Sequence, residues 1–153
     1  MKGGAGGSGG DCVFCAALAE AGVSPIVARA DTCFVIVNLY PYNNGHVMVV
    51  PNRHIRSLAE ASGAELGELM TMAQRAEIAL TEAYRPHGLN VGINLGRPAG
   101  AGIPGHLHLH VVPRWDGDTN FMTVVGATRV VPETPPRTLE RLVPIFARLA
   151  ARA

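Results

Sequence analysis

Apolar and polar positions alternate most strictly over residues 106–112, His106-Leu107-His108-Leu109-His110-Val111-Val112, where three of the six histidines take every second place. Successive side chains of a strand point to opposite faces, so the three imidazoles share one face and Leu107, Leu109 and Val111 share the other. Apolar, β-branched runs at 26–30 and 33–39 flank Asp31-Thr32, a polar pair suited to a tight turn, and predict two adjacent antiparallel strands. The turn formers Pro41-Tyr42-Asn43-Asn44-Gly45 separate them from a third strand over 46–50, stopped by Pro51, and a fourth is expected over 89–95. The period changes at Ser62-Gly63-Ala64-Glu65, which has capping-box spacing. Beyond it Leu66, Leu69, Met70, Ala73, Ala76, Leu80, Ala83 and Tyr84 recur at helical intervals, predicting one long helix that ends before Pro86, with Met70 and Met72 as core filler.

Shorter signals complete the plan. Residues 11–21 read as one or two helical turns closed by Gly22, and 96–105 as a glycine-rich loop leading into the histidine strand. A loop through Trp115 and Phe121 precedes an apolar stretch at 128–131. Residues 138–151 form an amphipathic helix with a kink expected at Pro144 and its arginines on a solvated face. The pattern predicts an α+β fold: a meandering antiparallel sheet, one long helix packed on it and a C-terminal helix.

Composition narrows the classes. Six of residues 1–10 are glycine, the composition of a flexible tail, which leaves 11–153 as the expected single domain; 153 residues, 48% of them hydrophobic, suffice for one core. A net charge of +1 without a basic stripe gives no argument for nucleic acid or an anionic membrane as partner. No apolar run approaches the roughly 18 residues of a spanning helix, and no signal-peptide stretch is evident, so the expected location is cytoplasmic. Three cysteines, Cys12, Cys15 and Cys33, cannot all pair within one chain and are expected as reduced thiols or metal thiolates.

A neutral imidazole is a nucleophile toward phosphorus and, when protonated, a general acid. A histidine row beside a glycine-rich loop therefore points to transfer of a phosphate-containing group. The loop Ala99-Gly100-Ala101-Gly102-Ile103 can bring backbone N–H groups to phosphate oxygens; Asn94 offers an amide and Arg97 a charge. Cys12-x-x-Cys15 is either a redox pair, whose usual β-α-β context is missing, or half of a zinc site that His54 and His106 could complete.

These residues resemble a known family. The 106–112 stretch is similar to the histidine triad signature, and Asn38 with Gly45-His46-Val47-Met48-Val49-Val50-Pro51 to the second characteristic stretch of the histidine triad nucleotide hydrolases and transferases. Likeness extends over nearly all of 12–112. Asn38-Leu39-Tyr40-Pro41-Tyr42-Asn43, the 85–92 string Arg85-Pro86-His87-Gly88-Leu89-Asn90-Val91-Gly92, and Pro113-Arg114-Trp115 with Gly117-Asp118-Thr119-Asn120-Phe121 look like the branch containing bacterial diadenosine tetraphosphate phosphorylases.

The resemblance implies that His108 attacks an α-phosphate and forms a nucleotidyl-histidine, that His110 contacts the scissile phosphate and assists the leaving group, and that His46 orients the triad. It implies a ribose contact for Asn38, a phosphate contact for Asn94, and a structural zinc on Cys12, Cys15, His54 and His106, with no metal in the chemistry. The implied activity is cleavage of dinucleoside polyphosphates such as diadenosine tetraphosphate, phosphorolysis slightly ahead of hydrolysis, with a nucleotide and inorganic phosphate as partners and a homodimer as assembly. Alternatives are hydrolysis of nucleoside phosphoramidates or other nucleoside monophosphate derivatives, and a zinc-stabilised nucleotide-binding regulator. One departure bears on the leaving group: where many relatives carry Ser, Thr or Gln just before the triad, this chain has Gly102-Ile103-Pro104-Gly105.

Overall fold

A computed structural model describes residues 12–20, 24–119 and 133–152. It contains strands β1 (Ile26–Arg29), β2 (Cys33–Val37), β3 (Val47–Pro51), β4 (Gly88–Ile93) and β5 (Leu109–Arg114). The helices are α1 (Val13–Ala19), α2 (Gly63–Tyr84) and α3 (Pro135–Ala150), and 3-10 turns lie at Leu58–Glu60 and Arg97–Ala99. The strands form one antiparallel sheet in the order β1-β2-β3-β5-β4. The meander holds from β1 to β3; α2 then carries the chain across, and β5 enters between β3 and β4, with Met48 and Gly92 on either side of His110.

Burial on both faces of the central strands explains why β2 and β3 read as continuous apolar runs. One face sends Cys33, Val35, Val37, Val47, Val49, Leu109 and Val111 against Leu69, Met72, Ala73, Ala76, Ala79 and Leu80 of α2 and Leu142, Ile145 and Phe146 of α3. The other sends Phe34, Ile36, Met48 and Val50 against Phe14 and Ala17 of α1. Since His110 pairs with Met48, the histidines belong to this second, thinly covered face.

Local chemistry sets the boundaries. Ser62 Oγ accepts from Glu65 N–H while Glu65 accepts from Ser62 N–H, the reciprocal cap that opens α2. Arg85, left-handed at φ 48°, ends it before Pro86. Gly45 has φ +76°, and a Cβ there would sit 2.9 Å from the Tyr84 ring, so the turn into β3 packs on α2 only because no side chain is present. Glu68 reaches from α2 to accept from the N–H groups of Asp31 and Thr32 and from the Thr32 hydroxyl, fastening the β1–β2 turn to the helix.

Several expectations shift. The histidine strand begins at Leu109, so His106 and His108 precede the ladder, although Leu107 N–H still donates to Ile55 C=O at 2.6 Å and keeps the chain extended. β4 covers 88–93 rather than 89–95, and Leu95 is exposed. Met72 is buried, but Met70, two residues earlier, lies on the outer face of α2, 57% exposed. α3 starts at Pro135, three residues ahead of expectation, because proline is tolerated in the first turn. Its arginines pair with Glu133, Glu140 and Glu82. Gly22 and the 128–131 stretch lie outside the described residues.

Candidate active site and metal cluster

Hydrogen-bond partners assign each histidine its tautomer. His108 Nδ1–H donates to its neighbour His106 C=O at 2.8 Å, so the lone pair of His108 lies on Nε2. Tyr42 N–H donates to His46 Nδ1 at 3.0 Å, so His46 carries its proton on Nε2 and donates to His110 Nδ1 at 2.8 Å. That leaves His110 with its own proton on Nε2. The Tyr42 ring covers the pair, 4.7 Å from His46 and 5.9 Å from His110 between centroids. His108 and His110 meet edge to face at 4.8 Å.

Burial holds all three triad imidazoles below the ordinary histidine range, and His110 is lowered to about 4 by burial and by His108 beside it. The row is therefore neutral at pH 7. A neutral Nε2 on His108 and a neutral N–H donor on His110 form a pair able to attack phosphorus and steady the departing oxygen.

Two cavities meet at His110 and Tyr42. The larger, about 700 Å³, is walled by Phe14 and Ala17 of α1, by Ile36 and Met48 of the sheet, and by Ile103; Asn38, His108 and His110 supply its polar end. The smaller, about 370 Å³, lies along β4 and β5 and is lined by polar residues including Asn90, Asn94 and Arg114. An apolar hollow with polar groups at one end suits a flat base attached to a phosphorylated sugar.

Beyond α1's entrance, Cys12 Sγ lies 3.3 Å from His106 Nδ1, and Cys15 Sγ lies 3.3 Å from His54 Nδ1 and 3.6 Å from His106 Nδ1. The four ligand atoms fall within 4.8 Å of one another. Tetrahedral zinc with ordinary bond lengths separates sulfur from nitrogen by about 3.5 Å, so the spacing fits. His106 Nε2–H donates to Pro51 C=O at 2.9 Å, which turns the Nδ1 lone pair toward the thiols. His54 is placed by its neighbours: Arg53 grips Glu65 of α2 through two 2.9 Å contacts, and Ile55 is buried.

The remaining candidates divide. Asn38 lines the larger cavity, its Oδ1 accepting from Tyr40 N–H at 2.9 Å and its NH₂ 3.4 Å from the His46 ring. Gly102 lines the same cavity, Ala101 is buried and Gly100 exposed. Asn94 borders the smaller cavity, with Nδ2 3.4 Å from Gly100 C=O. Arg97 is exposed in its 3-10 turn and lines neither cavity.

With this geometry in place, comparison with known proteins is direct. The HIT domain family matches residues 22–117, more than half of the chain. The chain belongs to the HIT family. It is 46% identical over 123 residues to AP-4-A phosphorylase of Mycobacterium tuberculosis, an alignment covering 80% of this HIT chain and 63% of that protein, so it spans less than two thirds of that relative's length. It is 32% identical over 95 residues to the asymmetrical bis(5'-nucleosyl)-tetraphosphatase of Schizosaccharomyces pombe, covering 62% of this chain and 52% of that one. A crystal structure of a Zn-bound histidine triad family protein from Mycobacterium smegmatis superposes with TM-score 0.76 at 26% identity, covering 95% of this chain and all of the other.

Three contributors to this HIT site have roles that the sequence does not assign. Phe14 packs its ring 5.5 Å from His106 and 5.2 Å from His108, joining the cysteine-bearing helix to the triad. Tyr42 acts through its backbone N–H, which no side-chain pattern can announce. Asp118 accepts from Arg114, Asn43 and Trp115 N–H, tying the β5 exit to the loop before β3.

Proposed function

We propose that the chain cleaves dinucleoside polyphosphates, diadenosine tetraphosphate among them, by nucleotidyl transfer through His108, with inorganic phosphate ahead of water as the second acceptor. The observation that carries this reading is the 2.8 Å bond from His108 Nδ1–H to His106 C=O, which presents the opposite nitrogen to the cavity as a free lone pair. His108 Nε2 attacks the α-phosphorus; the bond to the bridging oxygen breaks, and the departing chain keeps the electron pair. His110 Nε2–H donates to that oxygen, and His46 holds His110 in the required tautomer. In the second step the acceptor oxygen attacks phosphorus, its proton passes to solvent, and the P–N bond breaks with its electron pair returning to His108 Nε2.

The base occupies the apolar wall of Phe14, Ile36, Met48 and Ile103, and Asn38 meets the ribose. Backbone at Gly100, Ala101 and Gly102 and the Asn94 amide serve the phosphates, with Arg97 adding charge from the rim. Cys12, Cys15, His54 and His106 would hold zinc, which when bound supplies no chemistry and fastens α1 to the sheet. Apolar exposure on edge strand β4 at Val91, and on α2 at Met70 and Ile78, supports a homodimer. Zinc thiolates at Cys12 and Cys15 and a buried thiol at Cys33 fit a reducing compartment, the cytoplasm.

Incubation with diadenosine tetraphosphate at graded phosphate concentrations tests the reading. ATP with ADP rising as phosphate rises is the expected outcome. ATP with AMP at every phosphate level replaces phosphorolysis with hydrolysis, and tight binding without products contradicts the enzymatic reading.

A further inference from the structure

The smaller cavity has no part in holding the base, yet it adjoins His110 and Tyr42, the two residues both cavities share. His108 lines only the larger cavity, whereas His110 lines both. In-line displacement places the nucleophile and the departing oxygen on opposite sides of phosphorus, so a phosphate held between His108 and His110 sends its leaving bond past His110. The second acceptor must approach from that same side, because it displaces His108 in line.

The walls fit an oxyanion held by neutral donors. Arg114 is bound by Asp118 through Nε at 2.7 Å and Nη2 at 2.6 Å, which offsets its charge, and its Nη1 donates to Asn90 Oδ1 at 2.9 Å. That bond fixes the Asn90 amide plane and leaves its NH₂ as the free end; among the described residues this nitrogen has no hydrogen-bond partner. Asn90 pairs with Val112 and Gly92 with His110, so the Asn90 side chain stands on the same face of the sheet as His110, two residues along β4. Gly92, between Asn90 and Asn94, adds no side chain to obstruct a ligand. Asn90, Asn94, Arg114 and His110 line about 370 Å³ together; Asn94 Nδ2 donates to Gly100 C=O at 3.4 Å and Arg114 is engaged by Asp118, Thr119 and Asn90, so the Asn90 amide is the donor left for a ligand.

We propose that this cavity is the leaving-group and acceptor subsite, binding the polyphosphate chain beyond the scissile bond and, after its departure, the incoming phosphate. The assignment rests on the nucleotidyl-transfer reading above and adds Asn90 as a residue that sets substrate class. Both steps balance here: the chain leaves with the electron pair of the broken P–O bond, and the phosphate that replaces it forms a new P–O bond as the P–N bond to His108 breaks.

Asn90→Asp is the informative variant, because its carboxylate still accepts from Arg114 while the amide donor becomes a charged oxygen. The readout is the ratio of kcat/KM for diadenosine tetraphosphate to that for adenosine 5'-phosphoramidate, whose leaving group carries no phosphate. The ratio is expected to fall at least about tenfold, given the repulsion between charges a few ångströms apart. Asn90→Ser, which removes the amide donor without adding charge, is expected to lower it about threefold. Inorganic tripolyphosphate titrated into the resting protein provides a test without turnover: wild type binds it more tightly than Asn90→Asp by a similar factor. Wild type that turns over neither nucleotide but shows this binding difference contradicts the reaction and upholds the subsite. An unchanged ratio in both variants, with equal tripolyphosphate binding, overturns the subsite.

Discussion

Protonating His110 is the perturbation whose cost follows most directly from the site. Its Nδ1 already accepts the His46 Nε2–H at 2.8 Å, and His46 cannot turn its proton to Nδ1 without displacing the Tyr42 N–H bonded there. A proton on His110 Nδ1 therefore sets two N–H groups against each other in a half-buried place. Burial and the neighbouring His108 lower His110 to about 4, against about 6.5 in an unfolded chain. Between these values the unfolded chain binds a proton that the folded chain refuses, so stability rises with pH across the window. The contribution is complete above about pH 6.5 and is lost as pH falls through 4. At 1.36 kcal/mol per unit, the 2.5-unit difference amounts to at most roughly 3 kcal/mol. Urea denaturation of wild type and His110→Asn at intervals from pH 4 to 7.5 isolates it, because every other titration is common to both proteins. Wild type is expected to lose up to about 3 kcal/mol more than the variant between pH 6.5 and 4. Parallel pH curves would refute the assigned hydrogen-bond chain.

Other expectations concern the metal and the frame. Purified protein is expected to carry about one zinc per chain by elemental analysis; Cys12→Ser loses it and lowers stability, whereas a metal-free preparation of full stability contradicts the cluster. Glu68→Ala removes acceptors from Asp31 and Thr32 and is expected to cost about 1–3 kcal/mol in urea denaturation, while an unchanged midpoint denies its fastening role.

What the sequence reveals and what it hides divide by distance along the chain. The Ser62–Glu65 cap is a short-range pattern and appears as expected, while the histidine alternation still sets His108 against His110 although the paired strand begins only at Leu109. Met70 and Met72 differ in burial because a helix turns about 200° over two residues, which the choice of apolar types alone does not convey. The insertion of β5 between β3 and β4 depends on non-local pairing, and local alternation is the same in either strand order. The cysteines meet His106 across 94 and 91 residues, and spacing carries no trace of that convergence. Arg97 lies within the glycine-rich loop and Asn94 just ahead of it, but only Asn94 reaches a cavity wall.

The central claim is that His108 Nε2 forms a bond to the nucleotide. Rapid acid-free quenching of protein turning over diadenosine tetraphosphate labelled at the α-phosphate, followed by peptide mass mapping at alkaline pH, reads that bond directly. The account predicts adenylate on the peptide bearing His108, formed within the first turnover and absent from His108→Ala, which is expected to retain its fold and lose turnover. Label on another residue, or a His108→Ala variant that still cleaves the substrate at a substantial rate, contradicts it.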